Sequence, residues 1–317
     1  MGGGTGIYPV TTALKKLEVD ISTIIAVSDS GGSTGRIRDE FGFQPVGDLR
    51  QSLAALAEGN DQNWIRKLLL YRFDKGEGLK GHNLGNLILT ALQDMTGSTT
   101  KALQVAEQIF RLSGQVVPAT EDNVNLKIIY EDGSELVGED YLNAESDQGK
   151  KVKEVALTPT AQISPAAKTA IEQADLIIIG PGDYHASLLA TLLPIGTKEA
   201  FANSKAKTVY LTNLMSRHHQ TDNMRISDYV TGIEHHLGKK LDHIIVNSQL
   251  IPQEVIKHYE SHHEYPVTDD LPQDNRVIRA EIISDESIVQ TTGDDLSRSF
   301  LRHDNKKLTT VLKSIIK

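Results

Sequence analysis

Two textures alternate along the chain. Short β-branched apolar runs, each followed by a polar turn rich in glycine or asparagine, are separated by stretches with helical spacing of apolar positions. The opening glycines lead into helical spacing over Tyr8–Leu17, and Ile21–Val27 then reads as a buried strand with Ser28–Gly35 as the loop at its carboxyl end. From Leu49 to about Met95 the pattern is helical ("DLRQSLAALAEG", "NLGNLILTALQDM"), and Thr99–Leu112 predicts a further helix. Over Gln115–Leu157 apolar and polar residues alternate around the turn Asp132-Gly133, which predicts a hairpin and an antiparallel insertion. After Pro165 the helix–strand rhythm returns. "AAKTAIEQA" predicts a helix, and Leu176–Ile179, Thr208–Leu211 and His243–Val246 predict strands, the last two running into Asn213 and Asn247. The whole is an α/β chain with a doubly wound, mostly parallel sheet, in which Ile21–Val27 and the three later runs are expected to be neighbours. The stretch "HHEYPVTDDLPQDN" is expected to be a surface loop.

Composition narrows the partners. The chain has 317 residues, with 33 Lys+Arg against 42 Asp+Glu, and a net charge of −9 argues against general nucleic-acid binding. There is no cysteine, so disulfides, thiolate catalysis and cysteine-type zinc sites are excluded. The apolar runs are strand-sized and too short to span a membrane, and no signal peptide precedes the glycines, so a cytoplasmic location without membrane partners is expected.

In an open α/β sheet, ligands bind outside the carboxyl ends of the strands. Gly2, Gly3, Gly4, Thr5 and Gly6 form one glycine turn there, and "SDSGGSTGRIR" forms a second. In that second turn Gly31, Gly32 and Gly35 allow close backbone approach to a phosphate, Ser33 and Thr34 add hydroxyls, and Arg36 and Arg38 add charge-assisted donors. Asp29 stands at the strand end, a candidate Mg2+ ligand and the one catalytic candidate. Neither turn has Walker A or full dinucleotide spacing. "PVGDLRQSL" sets Asp48 and Arg50 at a helix start, where the alternative is a capping carboxylate beside an exposed arginine. "GEGLKGHNLGN" mixes glycines with His82, Asn83 and Asn86, and Gly180, Pro181 and Gly182 in "GPGDYHAS" offer amides to an anion, with Tyr184 as a stacking surface. The histidine pairs 218/219, 235/236 and 262/263 are sequence neighbours, which point apart on a helix or strand, so they read as surface histidines.

In order, the strings "GGGTG", "SDSGGSTGRIR", "GDLR", "GEGLKGHNLGN", "ADLIIIGPG" and "RHD" resemble the CofD/YvcK family, and more closely its YvcK branch, the bacterial gluconeogenesis factors. The likeness runs from the first residues to Asp304. It implies a Rossmann-like sheet in a single CofD-like domain over 1–317, with 115–157 inserted in it. It also implies a nucleotide diphosphate in the crevice: a UDP-sugar for the YvcK branch, which is linked to cell shape and growth on gluconeogenic carbon. For CofD enzymes, which move a phospholactyl group to a deazaflavin alcohol with Mg2+, the ligand is a GDP-type carrier. Carried over by motif, the three glycine loops would cradle the diphosphate, Asn213 and Asn247 would read ribose or base, Arg302 would pair with a phosphate and Tyr259 would stack. Turnover and a homo-oligomeric state both stay open. Two strings depart from the branch: "DYHAS" after the Gly-Pro-Gly turn and "SRHHQT" after "TNLM". In the family a short apolar strand precedes the GGGTG turn, so the chain is expected to start several residues into its fold, with a central sheet position left to fill.

Overall fold

The computed structural model describes residues 1–3, 6–28, 40–57, 63–138, 150–284 and 300–316. After the initial glycines, α1 (Ile7–Lys15) leads to β1 (Ser22–Ile25). Helices α2 (Gly47–Leu56), α3 (Asn63–Leu70), α4 (Leu84–Thr96) and α5 (Thr99–Phe110) follow, then β2 (Gln115–Pro118). The starts and stops of α4 and α5 are chemical. Asn83 and Ser98 accept from the backbone N–H three residues on, and Gly97 ends α4 in the left-handed region. Strands β3 (Asn125–Tyr130), β4 (Glu135–Val137) and β5 (Val152–Thr158) make an antiparallel sheet in the order β4-β3-β5. The remaining elements are α6 (Pro165–Gln173), β6 (Leu176–Ile179), a π-helical turn at Tyr184–Leu189, α7 (Thr197–Asn203), β7 (Lys207–Leu211), α8 (Ile226–Leu237), β8 (His243–Asn247), α9 (Gln253–Glu260), β9 (Val277–Ala280) and α10 (Asn305–Ile316).

Strands β6, β7, β8 and β9 pair in that order, all parallel. Their unbroken apolar runs are explained by cover on both faces. Ile177 and Ile179 face one core with Tyr210, Ile244, Phe201 and Ile233, whereas Ile178 faces another with Val209, Leu211 and Ile245. That second core is closed by Val10 and Ala13 of α1 and by Leu308, Leu312 and Ile315 of α10. A third core joins Ile25 of β1 to Leu49, Leu53, Leu89 and Leu103 of the helices between β1 and β2.

Two expectations need correction, and one strand was not expected. Strand β1 does not share a ladder with β6, β7 and β8; it pairs in parallel with β2. Residues Met1–Gly3 lie between the two ladders. Gly2 donates to Ile24 O at 3.1 Å and accepts from Ala26 N at 3.4 Å, while the Met1 amine donates to Ile178 O at 2.6 Å and Gly180 N donates to Met1 O at 3.0 Å. The chain start thus occupies the central position between β1 and β6, and burial lowers the pKa of its amine to about 5. Second, Gln115–Pro118 belongs to the parallel part, and antiparallel pairing starts at Asn125. The unexpected strand is β9, which falls just after the stretch expected to be a loop. It is an edge strand with partly exposed residues, so its apolar signal is short.

Candidate functional site

The carboxyl ends of Met1–Gly3, β6, β7 and β8 open on one edge, where Gly3 and Gly6 meet Gly180–Gly182. Gly180 has φ 81, in the left-handed region, and a Cβ at this position would stand 2.9 Å from Leu211 O. Gly3 is closely surrounded as well. A Cβ there would meet Asp48 Oδ2 at 2.5 Å and Ser187 Oγ at 3.0 Å. Gly6, the residue before α1, lies against Pro181 O and the Gly182 α-carbon. The first glycine turn and Gly180–Gly182 are therefore packed on each other, with the Asp48 carboxylate and the Ser187 hydroxyl beside them.

One α-helix points its amino end at this edge. Helix α1 starts at Ile7, after Gly6, with no side-chain cap from Gly6 and no acidic residue in its first turn, so its positive end faces this edge beside the Asp48 carboxylate. The π-helical turn differs, because Asp183 Oδ1 accepts from Ala186 N at 3.0 Å and caps it. Asn213, just past β7, holds the loop in place. Its Nδ2 donates to Gly182 O at 2.7 Å and its Oδ1 accepts from the Tyr210 hydroxyl at 3.2 Å.

The other expected residues are distributed around this edge. Asp48 and Arg50 lie in the first turn of α2 rather than before it. Arg50 is buried and not exposed; its Nη1 donates to Leu69 O at 3.2 Å and its stem packs where Gly85 leaves room. Asn83 and Asn86 are buried at the start of α4, with Asn83 as its cap, and His82 is half-buried in the preceding turn. Asn247 folds back on its own loop, donating to Gln249 O at 2.7 Å and accepting from Gln249 N. Tyr259 is buried with Ile283 and Leu301, and its hydroxyl accepts from Leu301 N at 3.0 Å. Arg302 is half-buried, and its carbonyl accepts from Ser284 N at 2.9 Å. Tyr184 is buried edge-on against Tyr229, with burial pushing its hydroxyl pKa up. Gly4, Thr5, Asp29, Gly31, Gly32, Ser33, Thr34, Gly35, Arg36 and Arg38 lie outside the described residues.

Two residues at the edge carry no expectation from sequence. Ser187 follows "GPGDYHA" in the π-helical turn, where no helical period announces it. His303, the middle of "RHD", is buried and hydrogen-bonded to the backbone of Thr212 just past β7, and among the described residues its Nε2 has no partner. Burial lowers its pKa to about 4, so this imidazole is neutral at pH 7. A polar residue beside an expected phosphate-pairing arginine was the available signal.

Comparison with known proteins places this arrangement. The sequence model of the family described as 2-phospho-L-lactate transferase CofD matches residues 1–288. The gluconeogenesis factor of Bacillus subtilis is 37% identical over 319 residues, covering 100% of this chain and 96% of that protein. The gluconeogenesis factor of Halalkalibacterium halodurans is 34% identical over 314 residues, covering 98% and 94%. A crystal structure of a UPF0052 family member from Bacillus halodurans superposes with a TM-score of 0.87 at 32% identity, covering 98% of this chain and 96% of that one. Among the described residues no helix is long and apolar enough to cross a membrane. A sequence-model match over residues 1–288, with relatives and a solved structure alike over nearly the whole chain, makes this chain a member of the CofD family.

Proposed function

We propose that the protein binds a nucleotide diphosphate, with a UDP-sugar favoured over a GDP-type compound, at the carboxyl edge of the sheet. We propose further that it acts as a gluconeogenesis factor supporting cell morphogenesis and cell-wall metabolism on gluconeogenic carbon sources. One observation carries the reading: the uncapped amino end of α1 abuts the Gly180–Gly182 turn. Backbone amides and a helix dipole aimed at one point suit the two charges of a diphosphate. Asn213 keeps that turn in register, and Arg302, together with Arg36 and Arg38 of the second glycine loop, supplies guanidinium groups for it. Binding takes place in the cytoplasm, with neither nucleic acid nor membrane as a partner.

The second reading is a transferase of the CofD type, favoured by the description of the matching family. Mg2+ would bind chiefly through phosphate oxygens and water, so it needs few protein carboxylates. Asp48, beside Gly3 at the edge, fits such a role, and Asp29 is the second candidate. The ion would neutralise developing charge on the diphosphate; the protein's part is to orient the chain of phosphates against the glycine turns.

Calorimetry with UDP-N-acetylglucosamine, GDP and UMP tests the first reading. The UDP-sugar is expected to bind more tightly than UMP, and Arg302→Ala to weaken it by about 1.5–3 kcal/mol, the range for a hydrogen bond to a charged group. Equal affinity for UMP and UDP-sugar would show that the turns do not read a diphosphate. Release of GMP from a lactyl-diphosphoguanosine carrier, as the phospholactyl group passes to the oxygen of an added deazaflavin alcohol, would favour the transferase instead.

A further inference from the structure

The segment after β7 gathers imidazoles. Ser216 N donates to Tyr265 O at 2.7 Å, Tyr265 N donates to the Ser216 hydroxyl at 2.9 Å, and Arg217 pairs with Glu264 at 3.2 Å. These contacts clip a turn at 217–222 to the chain leaving α9. Adjacent histidines would point apart on a helix or strand, but His219 has φ 66 and breaks that geometry. The rings of His218 and His219 come together with centroids 3.7 Å apart, and His263, itself at φ 58, brings a third ring to 4.8 Å from His218.

Asp222 completes the group. Its Oδ2 accepts from His219 N at 2.7 Å, and its Oδ1 lies 3.3 Å from His218 Nδ1. One donor atom from each of His218, His219 and Asp222 lies within 4.8 Å of the others. Ligands of one Zn2+ at about 2.0–2.2 Å stand about 3.3–3.6 Å apart in a tetrahedron, so small side-chain rotations close the cluster. Two imidazoles and a carboxylate are the borderline donors that suit Zn2+ and Co2+ rather than Mg2+. Residues in the left-handed region without glycine's freedom are uncommon, and His219, Asn223 and His263 put three of them in this one feature.

We propose that His218, His219 and Asp222 bind a divalent transition-metal ion, Zn2+ or Co2+, with His263 as the fourth donor. The site lies beyond the carboxyl end of β7, on the same side of the sheet as the glycine turns, and its formation requires no nucleotide. It would pin the 217–222 turn to the segment after α9, two stretches far apart in sequence.

The test uses the full chain without an affinity tag, titrated with Zn2+ by calorimetry and with Co2+ by visible absorption. One ion per chain is expected, with the strong d–d bands of a tetrahedral Co2+ site. His219→Asn, which tolerates the left-handed backbone, and His218→Ala should each weaken binding at least tenfold. His263→Asn should weaken it less, and His235→Asn on α8, away from the turn, should leave it unchanged. Added Zn2+ should raise the melting temperature of the native chain and not that of His219→Asn. Failure to bind an ion at micromolar concentration, or equal affinity in the native chain, His218→Ala and His219→Asn, would overturn the proposal. Nucleotide binding does not enter these readouts, so their failure leaves the diphosphate reading untouched.

Discussion

At the scale of single residues, the edge is held by polar groups whose partners are backbone atoms. Asn213 is the clearest case, since one side chain fixes Gly182 and satisfies the fully buried Tyr210. Asn213→Ala removes both bonds and leaves the Tyr210 hydroxyl buried without its acceptor. A loss of about 1–3 kcal/mol is expected in urea unfolding, together with weaker UDP-sugar binding. An unchanged midpoint would show that the turn holds itself. His185 and His303 set a pH dependence. Burial lowers each pKa to about 4, against the opposing pull of Asp183 on the first and of the Thr212 backbone on the second. The unfolded chain therefore binds more protons between about pH 6.5 and 4. Stability from these groups is full above about pH 6.5 and is lost as pH falls towards 4, by up to about 3 kcal/mol for each. Melting followed from pH 7.5 to 4.5 should show this decline, and replacing His303 with Gln should flatten part of it.

At the scale of elements, the carboxyl edge depends on segments that tie down the chain's later turns. Tyr259 of α9 is one such tie, its hydroxyl accepting from Leu301 N. Tyr259→Phe keeps the ring in its core and deletes that bond, so a cost of about 1 kcal/mol is expected, with local loosening around 300–304 visible in amide exchange. No change in either would assign Tyr259 to packing alone. Strands β6, β7 and β8 were legible because each is a continuous apolar run covered on both faces. Strand β9 was not, because an edge strand with exposed Arg279 lacks that run. Gln115–Pro118 sits beside an alternating stretch, and its own pattern is too short to tell a parallel partner from an antiparallel one. The turn at 217–222 escaped for another reason. Sequence spacing assigns neighbours to opposite sides only on regular elements, and His219 leaves regular geometry.

At the scale of the whole molecule, two parallel ladders become one surface through Met1–Gly3, whose hydrogen bonds reach β1 on one side and β6 on the other. A strand position ahead of the glycine turn was readable from sequence; that Met1–Gly3 bond to both ladders was not, because three residues carry no periodicity. Glycines in the motif strings have two roles that sequence alone does not separate. Gly85 makes room for the Arg50 stem, and Gly3 and Gly6 let two turns touch, while the amides at the start of α1 are the ones proposed to meet the ligand. The central claim is that the diphosphate sits on those amides and on Gly180–Gly182. Hydrogen–deuterium exchange with and without saturating UDP-N-acetylglucosamine tests it most directly. The account predicts slower exchange at the start of α1 and across 180–188, with the antiparallel strands β3, β4 and β5 unchanged; ligand binding that protects other segments and leaves these two unaffected would contradict it.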